Sequence, residues 1–147
     1  MSDVHLDVYL YFQGNCKEAM EFYKSVFGGE LTVQTFGESP PEAVPGGLND
    51  ENKDQVMHAR LEGGDIKLMA SDGSKASAKS AKVDLSLGGS DETRLREIFE
   101  KLSAGGEVGM PLTKMFWGDF FGQFVDKYGV SWMVNITKPG SMTDQKT

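Results

Sequence analysis

The same order of local patterns occurs twice in this chain, and this duplication limits the possible folds more than any other feature. In the first half, the β-prone segment VYLYF (8–12) precedes an amphipathic helix pattern that stops at a pair of glycines (28–29). In the second half, VDLSL (83–87) precedes a second amphipathic helix pattern that stops at another glycine pair (105–106). A strand pattern and then a hairpin pattern follow each helix, so the sequence predicts two βαβββ modules.

The apolar stripes of the two helix patterns predict which helix faces are buried. They have the spacing of a helix that packs on a sheet, and they consist of Ala19, Phe22, Tyr23, Val26 and Phe27 in the first helix and of Leu95, Ile98, Phe99 and Leu102 in the second. Asn15 and Glu18 have the spacing of a capping box, so Asn15 is the predicted cap of the first helix. Asp91 and Glu92 favour the start of the second helix through the helix dipole.

Chain length and linker composition predict the domain organisation. With 147 residues, the chain is long enough for one domain with a substantial core. We expect this single domain to span residues 1–137, with module one at about 1–71 and module two at about 82–137. The intervening residues 72–81 are small and polar without periodicity, which is typical of a flexible linker. Residues 138–147 have little to bury and are predicted to form a flexible tail.

Charge and composition exclude several classes of protein. The formal net charge of -7 and the lack of clustered Lys and Arg argue against binding to nucleic acid. No apolar run is long enough to cross a bilayer, and the N-terminal stretch lacks the regions of a signal peptide. The single cysteine, Cys16, cannot form an internal disulfide, and we expect it to be a small packing residue. A cytoplasmic protein without nucleic acid or membrane partners is therefore expected.

Three motifs carry a resemblance to a known superfamily. They are GNC-x-EA-x-x-FY, MHA-x-L-x-GG and FWGD-x-FG-x-x-x-D-x-x-G-x-x-W, which begin at positions 14, 57 and 116. With them, the chain from residue 1 to about 137 resembles the glyoxalase/bleomycin-resistance (vicinal oxygen chelate) superfamily and its PhnB-like branch. The resemblance implies an α+β fold in which two βαβββ modules form mixed sheets curved around a concave cavity, with the helices on the outer face. It also implies a homodimer.

Strand alternation separates the residues that pack on the helices from those that face this cavity. The first strand of module two is predicted to bury Val83, Leu85 and Leu87. In module one, His58 is predicted to share a strand face with Val56 and Arg60. The predicted ligand-binding residues are Tyr9, Tyr11, His58, Arg60, Met69, Lys82, Trp117, Phe121, Gln123, Met133 and Asn135.

The resemblance also identifies the positions at which a metal ligand would be expected. Metal-using members carry His, Gln or Glu on the first strand of each module and Glu on the last, which corresponds here to Asp7, Met69, Lys82 and Met133. A thioether is a poor ligand for hard or borderline cations, and a lysine ammonium repels them. We therefore expect no metal and no cofactor, and no residue is assigned a catalytic role.

These observations favour a metal-free protein that binds a planar or amphiphilic small molecule, the identity of which the sequence does not reveal. Two alternatives within the same superfamily stay open. The first is a metal-dependent glyoxalase- or dioxygenase-type enzyme, which needs a metal at the positions discussed above. The second is a drug-sequestering resistance protein, for which the acidic net charge would suit cationic drugs.

Overall fold

The structure, a computed structural model, describes residues 6–39, 47–64, 66–73 and 83–140. The chain divides into two compact units, residues 1–80 and 81–147. Unit 1 contains β1 (Val8–Phe12), α1 (Cys16–Phe27), β2 (Glu30–Thr35), a short 3-10 helix (Phe36–Glu38), β3 (Val56–Gly63) and β4 (Ile66–Asp72). Unit 2 contains β5 (Leu85–Gly89), α2 (Glu92–Ser103), β6 (Glu107–Lys114), β7 (Phe120–Val125) and β8 (Ser131–Ile136).

Within the described residues, each unit contains one four-stranded mixed sheet and one α-helix. The strand order is β1-β4-β3-β2 in unit 1 and β5-β8-β7-β6 in unit 2. In both sheets the first strand pairs in parallel with the last one, and the other pairs are antiparallel. The two predicted βαβββ modules and the predicted α+β class are therefore confirmed. Among the described residues, no helix is long and apolar enough to span a membrane.

The core of each unit lies between the helix and one face of its sheet. In unit 1, the buried side chains include Ala19, Met20, Tyr23 and Val26 of α1 and Ala59, Leu61, Leu68 and Ala70 of the sheet. In unit 2, Leu95, Ile98, Phe99 and Leu102 of α2 are buried, as are Phe124, Trp132, Val134 and Ile136 of the sheet. Phe99 and Phe124 meet edge to face with ring centroids 4.9 Å apart. Phe22 and Phe27 of the predicted stripe are only half-buried.

The glycine pairs after the two helices have the same structural role. A Cβ atom on Gly29 would overlap the carbonyl oxygen of Glu62 and lie 2.7 Å from Cα of Gly63, at the end of β3. A Cβ atom on Gly106 would overlap the carbonyl oxygen of Val125, at the end of the corresponding strand β7. In each unit, the chain leaving the helix passes too close to this strand for any side chain. The repeated glycines of the sequence therefore mark a repeated backbone contact.

The start of α1 is held by Asp72 at the end of β4, and the prediction of a capping box with Asn15 is wrong. One oxygen of the Asp72 carboxylate, Oδ1, accepts hydrogen bonds from the backbone N–H groups of Gly14 (2.7 Å) and Cys16 (3.0 Å). The other, Oδ2, accepts from the N–H of Val56 (2.9 Å). Asn15 occupies the cap position, but its side chain makes no capping bond. A carboxylate makes stronger hydrogen bonds than an amide and is favoured by the helix dipole.

Two further sequence expectations differ from the structure at strand ends. Strand β4 continues to Asp72, which had been expected to begin the linker, because the three hydrogen bonds of its carboxylate hold this residue in place. Strand β5 begins at Leu85, and Val83 precedes it with 63% of its surface exposed. The prediction that Val83 is a core residue is therefore wrong.

A second buried aspartate, Asp126, organises the β7–β8 hairpin. Its Oδ1 accepts from the backbone N–H groups of Tyr128 (2.8 Å) and Val130 (3.1 Å), and its Oδ2 accepts from the indole Nε1 of Trp132 (2.8 Å). Gly129 has φ 89°, a conformation that L side chains rarely adopt. The D-x-x-G-x-x-W part of the third motif is thus explained by the geometry of a turn.

Cys16 is fully buried at the start of α1, and its burial leads to a prediction about its reactivity. Burial, and secondly the nearby Asp72 carboxylate, raise the pKa of the thiol from 9.0 to about 12. Because the thiolate is the reactive form, we expect Cys16 at about pH 8 to react with a disulfide reagent about a thousandfold more slowly in the native than in the unfolded protein. Equal rates in the two states would contradict this prediction.

The raised pKa of the Cys16 thiol also determines the direction in which the stability of the protein changes with pH. A thiol whose pKa is raised on folding contributes stability that is present below its unfolded-state pKa of 9.0 and is lost as the pH rises toward 12. The difference in unfolding free energy between the wild-type protein and Cys16→Ala should therefore fall as the pH rises through this range. Urea unfolding at several pH values measures this difference, and a constant difference would contradict the assignment.

Candidate functional site

The sheet of unit 1 presents polar and aromatic side chains on the face opposite α1. Strand pairing places Tyr9, Met69, Arg60 and Thr32 in one row across the four strands. Val8 and Leu10 are half-buried on the other face and Phe12 is buried there, whereas Tyr9 and Tyr11 are 38% and 48% exposed. The structure thus brings Tyr9, Met69 and Arg60 together on one open face, as strand alternation predicts.

A bulge in strand β3 sets the orientation of His58. Thr35 of β2 pairs with Val56, and the preceding Gln34 pairs with His58, so Met57 is an extra residue on β3. Because of this bulge, Val56 is buried, whereas His58 lies on the same open face as Arg60. The prediction that Val56 shares a face with His58 is therefore wrong.

Three ring side chains form a cluster on this face. The ring centroids of Tyr9 and Tyr11 are 5.1 Å apart, and those of Tyr9 and His58 are 5.8 Å apart. The Tyr9 hydroxyl oxygen lies 3.3 Å from Nδ1 of His58, within hydrogen-bond distance. The cluster therefore combines stacking surface with polar groups that can orient a ligand.

The charged side chains beside this cluster form two ion pairs. Nε of Arg60 lies 3.0 Å from a carboxylate oxygen of Glu62, and Nζ of Lys67 lies 3.7 Å from a carboxylate oxygen of Asp7. The Arg60 and Glu62 side chains are about half exposed, so water screens their attraction and the pair adds little stability. The exposed Glu30, which pairs with Glu62 across the strands, adds a further carboxylate on this face outside these two ion pairs.

In unit 2, four of the five predicted ligand-binding residues that the structure describes lie on the sheet face opposite α2. Met133 pairs with Gln123, and Asn135 pairs with Phe121, so these side chains form two adjacent rows. All four are half-buried, whereas the intervening Trp132 and Val134 are buried beneath α2. Trp117 belongs to the turn between β6 and β7, where its ring contacts the exposed ring of Phe116 at a centroid distance of 4.9 Å.

Asn135 is held by a buried aspartate that sequence reasoning did not assign. Its Nδ2 donates to Oδ2 of Asp119 at 2.8 Å, and the backbone N–H of Lys138 donates to Oδ1 of Asp119 at 3.4 Å. Asp119 is fully buried. Lys138, the first residue of the predicted tail, also pairs with Glu92 of α2 through its ammonium group. Asp119 thus fixes the side chain of Asn135 as well as the chain after β8.

A sequence signal would have identified Asp126 as a structural residue, because it opens a turn with glycine and an aspartate at this position commonly accepts hydrogen bonds from the turn backbone. Asp119 follows Gly118, but Asn135 and Lys138, which donate to it, lie 16 and 19 positions away in the sequence. Asp72 has no comparable signal, because its partners lie up to 58 positions away in the sequence.

Among the predicted ligand-binding residues, Lys82 lies outside the part of the chain that the structure describes.

The residues at the expected metal positions do not fit a divalent cation. Asp7 is in an ion pair with Lys67, and Met69 and Met133 offer only thioether sulfur. Within the described residues, no group of three or more His, Cys, Asp or Glu side chains is close enough to hold a metal ion. The donor chemistry of these positions therefore gives no basis for a reaction step that needs a metal.

The family comparison agrees with this architecture. Residues 5–134 match the family model described as the Glyoxalase/Bleomycin resistance protein/Dioxygenase superfamily. The chain therefore belongs to this superfamily.

Three relatives of known sequence or structure resemble the chain over most of its length. Protein YjdN of Escherichia coli (strain K12) is 33% identical over 141 residues, which cover 90% of this chain and 95% of YjdN. The crystal structure of protein PA1353 from Pseudomonas aeruginosa has 39% identity and a TM-score of 0.73, and the match covers 90% of this chain and 98% of PA1353. A Bacillus cereus PhnB protein, described as a putative 3-demethylubiquinone-9 3-methyltransferase, has 26% identity and a TM-score of 0.70, with 91% and 100% coverage.

Proposed function

We propose that this protein binds a planar small molecule without a metal ion, and that the open face of the unit 1 sheet is part of the binding site. The observation that carries this proposal is the cluster of Tyr9, Tyr11 and His58, with exposed rings next to hydrogen-bonding groups. The rings of Tyr9, Tyr11 and His58 adjoin one another, and a contiguous exposed patch marks a binding site more often than a single exposed ring does. Neighbouring polar groups then set the orientation of the ligand.

The side chains at the expected metal positions also support a binding role. Met69 lies between Tyr9 and Arg60 in the row across the unit 1 sheet, and Met133 lies beside Gln123 in unit 2. A methionine side chain is flexible and polarisable, so it adapts to the shape of an apolar ligand. The superfamily places metal ligands at these positions in its metal-using members, and their replacement by methionine favours a binder over a metal-dependent enzyme.

A drug-sequestering protein is the second candidate, and one feature of unit 2 favours it. A surface groove of about 350 Å³ is lined by Asp84, Glu107, Gln123 and Ser131, together with parts of β7 and β8. Two carboxylates in one groove would favour a cationic drug. This candidate predicts that an aromatic cation, 2-naphthylmethylamine, binds more tightly than the corresponding anion, 2-naphthoate, and titration with both compounds measures this.

The proposed function predicts that a neutral, planar fluorescent probe, N-phenyl-1-naphthylamine, binds to the unit 1 face. We expect Tyr9→Ala with Tyr11→Ala to weaken this binding by about tenfold or more, because each stacked ring contributes about 1 kcal/mol. The matched control is Tyr128→Ala, which removes a tyrosine from the β7–β8 turn. An equal loss in this control, or undiminished binding to the double variant, would contradict the assignment.

The same titration tests whether binding depends on a metal. We expect the affinity for the probe to be unchanged by EDTA and by Zn, Ni, Co or Mn ions. A site with a dissociation constant of about 1 µM would add about 2.7 kcal/mol of stability at about 100 µM metal, which corresponds to about 5–10 °C in the melting temperature of a chain of this size. A shift of this size, or a stoichiometric metal in the purified protein, would contradict the metal-free proposal and favour the metal-dependent alternative.

A further inference from the structure

The hydrogen bond between Tyr9 and His58 determines which nitrogen of His58 carries the proton. The Tyr9 oxygen lies 3.3 Å from Nδ1. A phenol, with a pKa of about 10, loses its proton more readily than a neutral imidazole N–H, and an imidazole nitrogen is a stronger base than a phenol oxygen. These acidities favour the arrangement in which the Tyr9 hydroxyl donates to Nδ1 and the neutral form of His58 carries its proton on Nε2. Within the described residues, Nε2 has no hydrogen-bond partner, so it is a donor available to a ligand.

Arg60 supplies further donors on the same face. Its Nε is bound to Glu62 at 3.0 Å, and no other described side chain pairs with its two terminal nitrogens. Arg60 and His58 are two residues apart on β3, so their Cα atoms are about 7 Å apart. The pair with Glu62 also limits the motion of the guanidinium group, which leaves its outer N–H groups to bind an acceptor.

From these groups we infer the chemical class of the ligand: an aromatic compound that carries an oxygen acceptor, a carboxylate or a carbonyl, conjugated to its ring. The ring stacks on Tyr9 and Tyr11, and the oxygen accepts from Nε2–H of His58 and from the terminal N–H groups of Arg60. This inference rests on the proposed function, because it specifies the ligand of that same face. A ligand that offers only donors would leave the donors of His58 and Arg60 unpaired.

Three naphthalene probes of similar size test this inference: 2-naphthoate (carboxylate), 2-acetylnaphthalene (carbonyl) and 2-naphthylmethylamine (cationic donor). We expect 2-naphthoate to bind at least about tenfold more tightly than the amine, and 2-acetylnaphthalene to bind more tightly than the amine. If the amine binds as tightly as naphthoate while N-phenyl-1-naphthylamine still depends on Tyr9 and Tyr11, the inferred ligand class is wrong and the proposed function stands. If none of these probes binds, the proposed function itself fails.

Substitutions then assign the preference to particular donors. His58→Phe keeps a flat ring without an N–H, and Arg60→Met keeps the apolar stem without the guanidinium. Each should weaken the binding of 2-naphthoate by about five- to tenfold, a larger factor than the loss for N-phenyl-1-naphthylamine, which offers no acceptor oxygen. Lys67→Met is the matched control, since it removes one positive charge from the same face outside the aromatic cluster. An equal loss in this control would mean that overall charge alone selects the anion, which would overturn the inference.

The protonation state of His58 can be measured independently of any ligand. The chain has two histidines, so His5→Ala leaves His58 as the only one and makes its ¹⁵N signals unambiguous. We expect long-range ¹H–¹⁵N correlations at neutral pH to show a protonated Nε2 and an unprotonated Nδ1, and Tyr9→Phe to reduce this bias. A protonated Nδ1 would make Nε2 an acceptor and would overturn the inference.

Discussion

Replacement of Asp72 by alanine should lower the unfolding free energy of unit 1 by about 3–5 kcal/mol. The carboxylate is 4% exposed and accepts hydrogen bonds from the backbone N–H groups of Gly14, Cys16 and Val56. Its removal leaves three donors without an acceptor, and each buried unsatisfied donor costs about 1–3 kcal/mol. Water that enters the site would satisfy some of these donors. The expected loss is therefore smaller than the sum of the upper values for three unsatisfied donors.

The matched control for Asp72 is Asp91, which caps the second helix from the protein surface. Its Oδ1 accepts one hydrogen bond, from the N–H of Arg94 at 3.1 Å, and Asp91 is exposed. Asp91→Ala should therefore cost only about 1 kcal/mol, the usual value for a single helix cap. Equal losses in the two variants would show that Asp72 acts only as a helix cap and does not join three segments.

Asp72→Asn is a nearly isosteric second test. The amide oxygen can still accept from Gly14 and Cys16, but its NH₂ group then faces the N–H of Val56, where two donors oppose each other. We expect a loss smaller than that of Asp72→Ala, of about 2–3 kcal/mol. The two units offer separate reporters, because Cys16 is the one cysteine of the chain and lies in unit 1, whereas both tryptophans lie in unit 2. Urea unfolding of unit 1, monitored by the thiol labelling of Cys16, should therefore show the loss of unfolding free energy.

Of the two glycines that directly follow α1, Gly29 should tolerate alanine less well. Gly29→Ala should lower the unfolding free energy by about 3–5 kcal/mol. Gly29 has φ 95°, and a Cβ atom there would overlap the backbone of β3 at Glu62 and Gly63. The neighbouring Gly28 provides the control, because it also has a positive φ, 78°, but a Cβ atom on it would meet no heavy atom within 4 Å. Gly28→Ala should therefore cost only the conformational strain, about 1–3 kcal/mol.

The difference between the two glycine variants isolates the close approach of the backbones. Both positions have a positive φ, whereas only Gly29 lies against the backbone of β3, so the additional loss at Gly29 reports the displacement of β3. Urea unfolding of both variants, followed by far-UV circular dichroism, gives this difference. If Gly28→Ala and Gly29→Ala lose the same stability, the contact with β3 does not explain the second glycine of the pair.

The sequence allowed most of the secondary structure and the two faces of each sheet to be predicted. The 3.6-residue stripe of α2 and the alternation in β8 are repeated within a few residues, so each pattern can be recognised without knowledge of the rest of the chain. For the same reason, Tyr9 and Met69 could be assigned to one face before any pairing was known. The candidate residues of the open face follow from this local rule.

The rule failed where the regular period was broken or where the partners were distant. The extra residue Met57 changes the face of Val56 relative to His58, and no feature of the segment VMHARL marks this bulge. Strand β5 starts after Val83, because a β-prone residue joins a sheet only where a neighbouring strand pairs with it.

What the sequence by itself determined is the duplicated βαβββ plan, the superfamily and the side chains that each strand turns to its open face, because periodicity and turn residues are local properties. Only the tertiary structure decided that Asp72 holds α1 and β3, and that Tyr9 and His58, 49 positions apart, lie within hydrogen-bond distance of each other. These interactions join residues that are distant in the chain, and they exist only once strand pairing has brought the residues together.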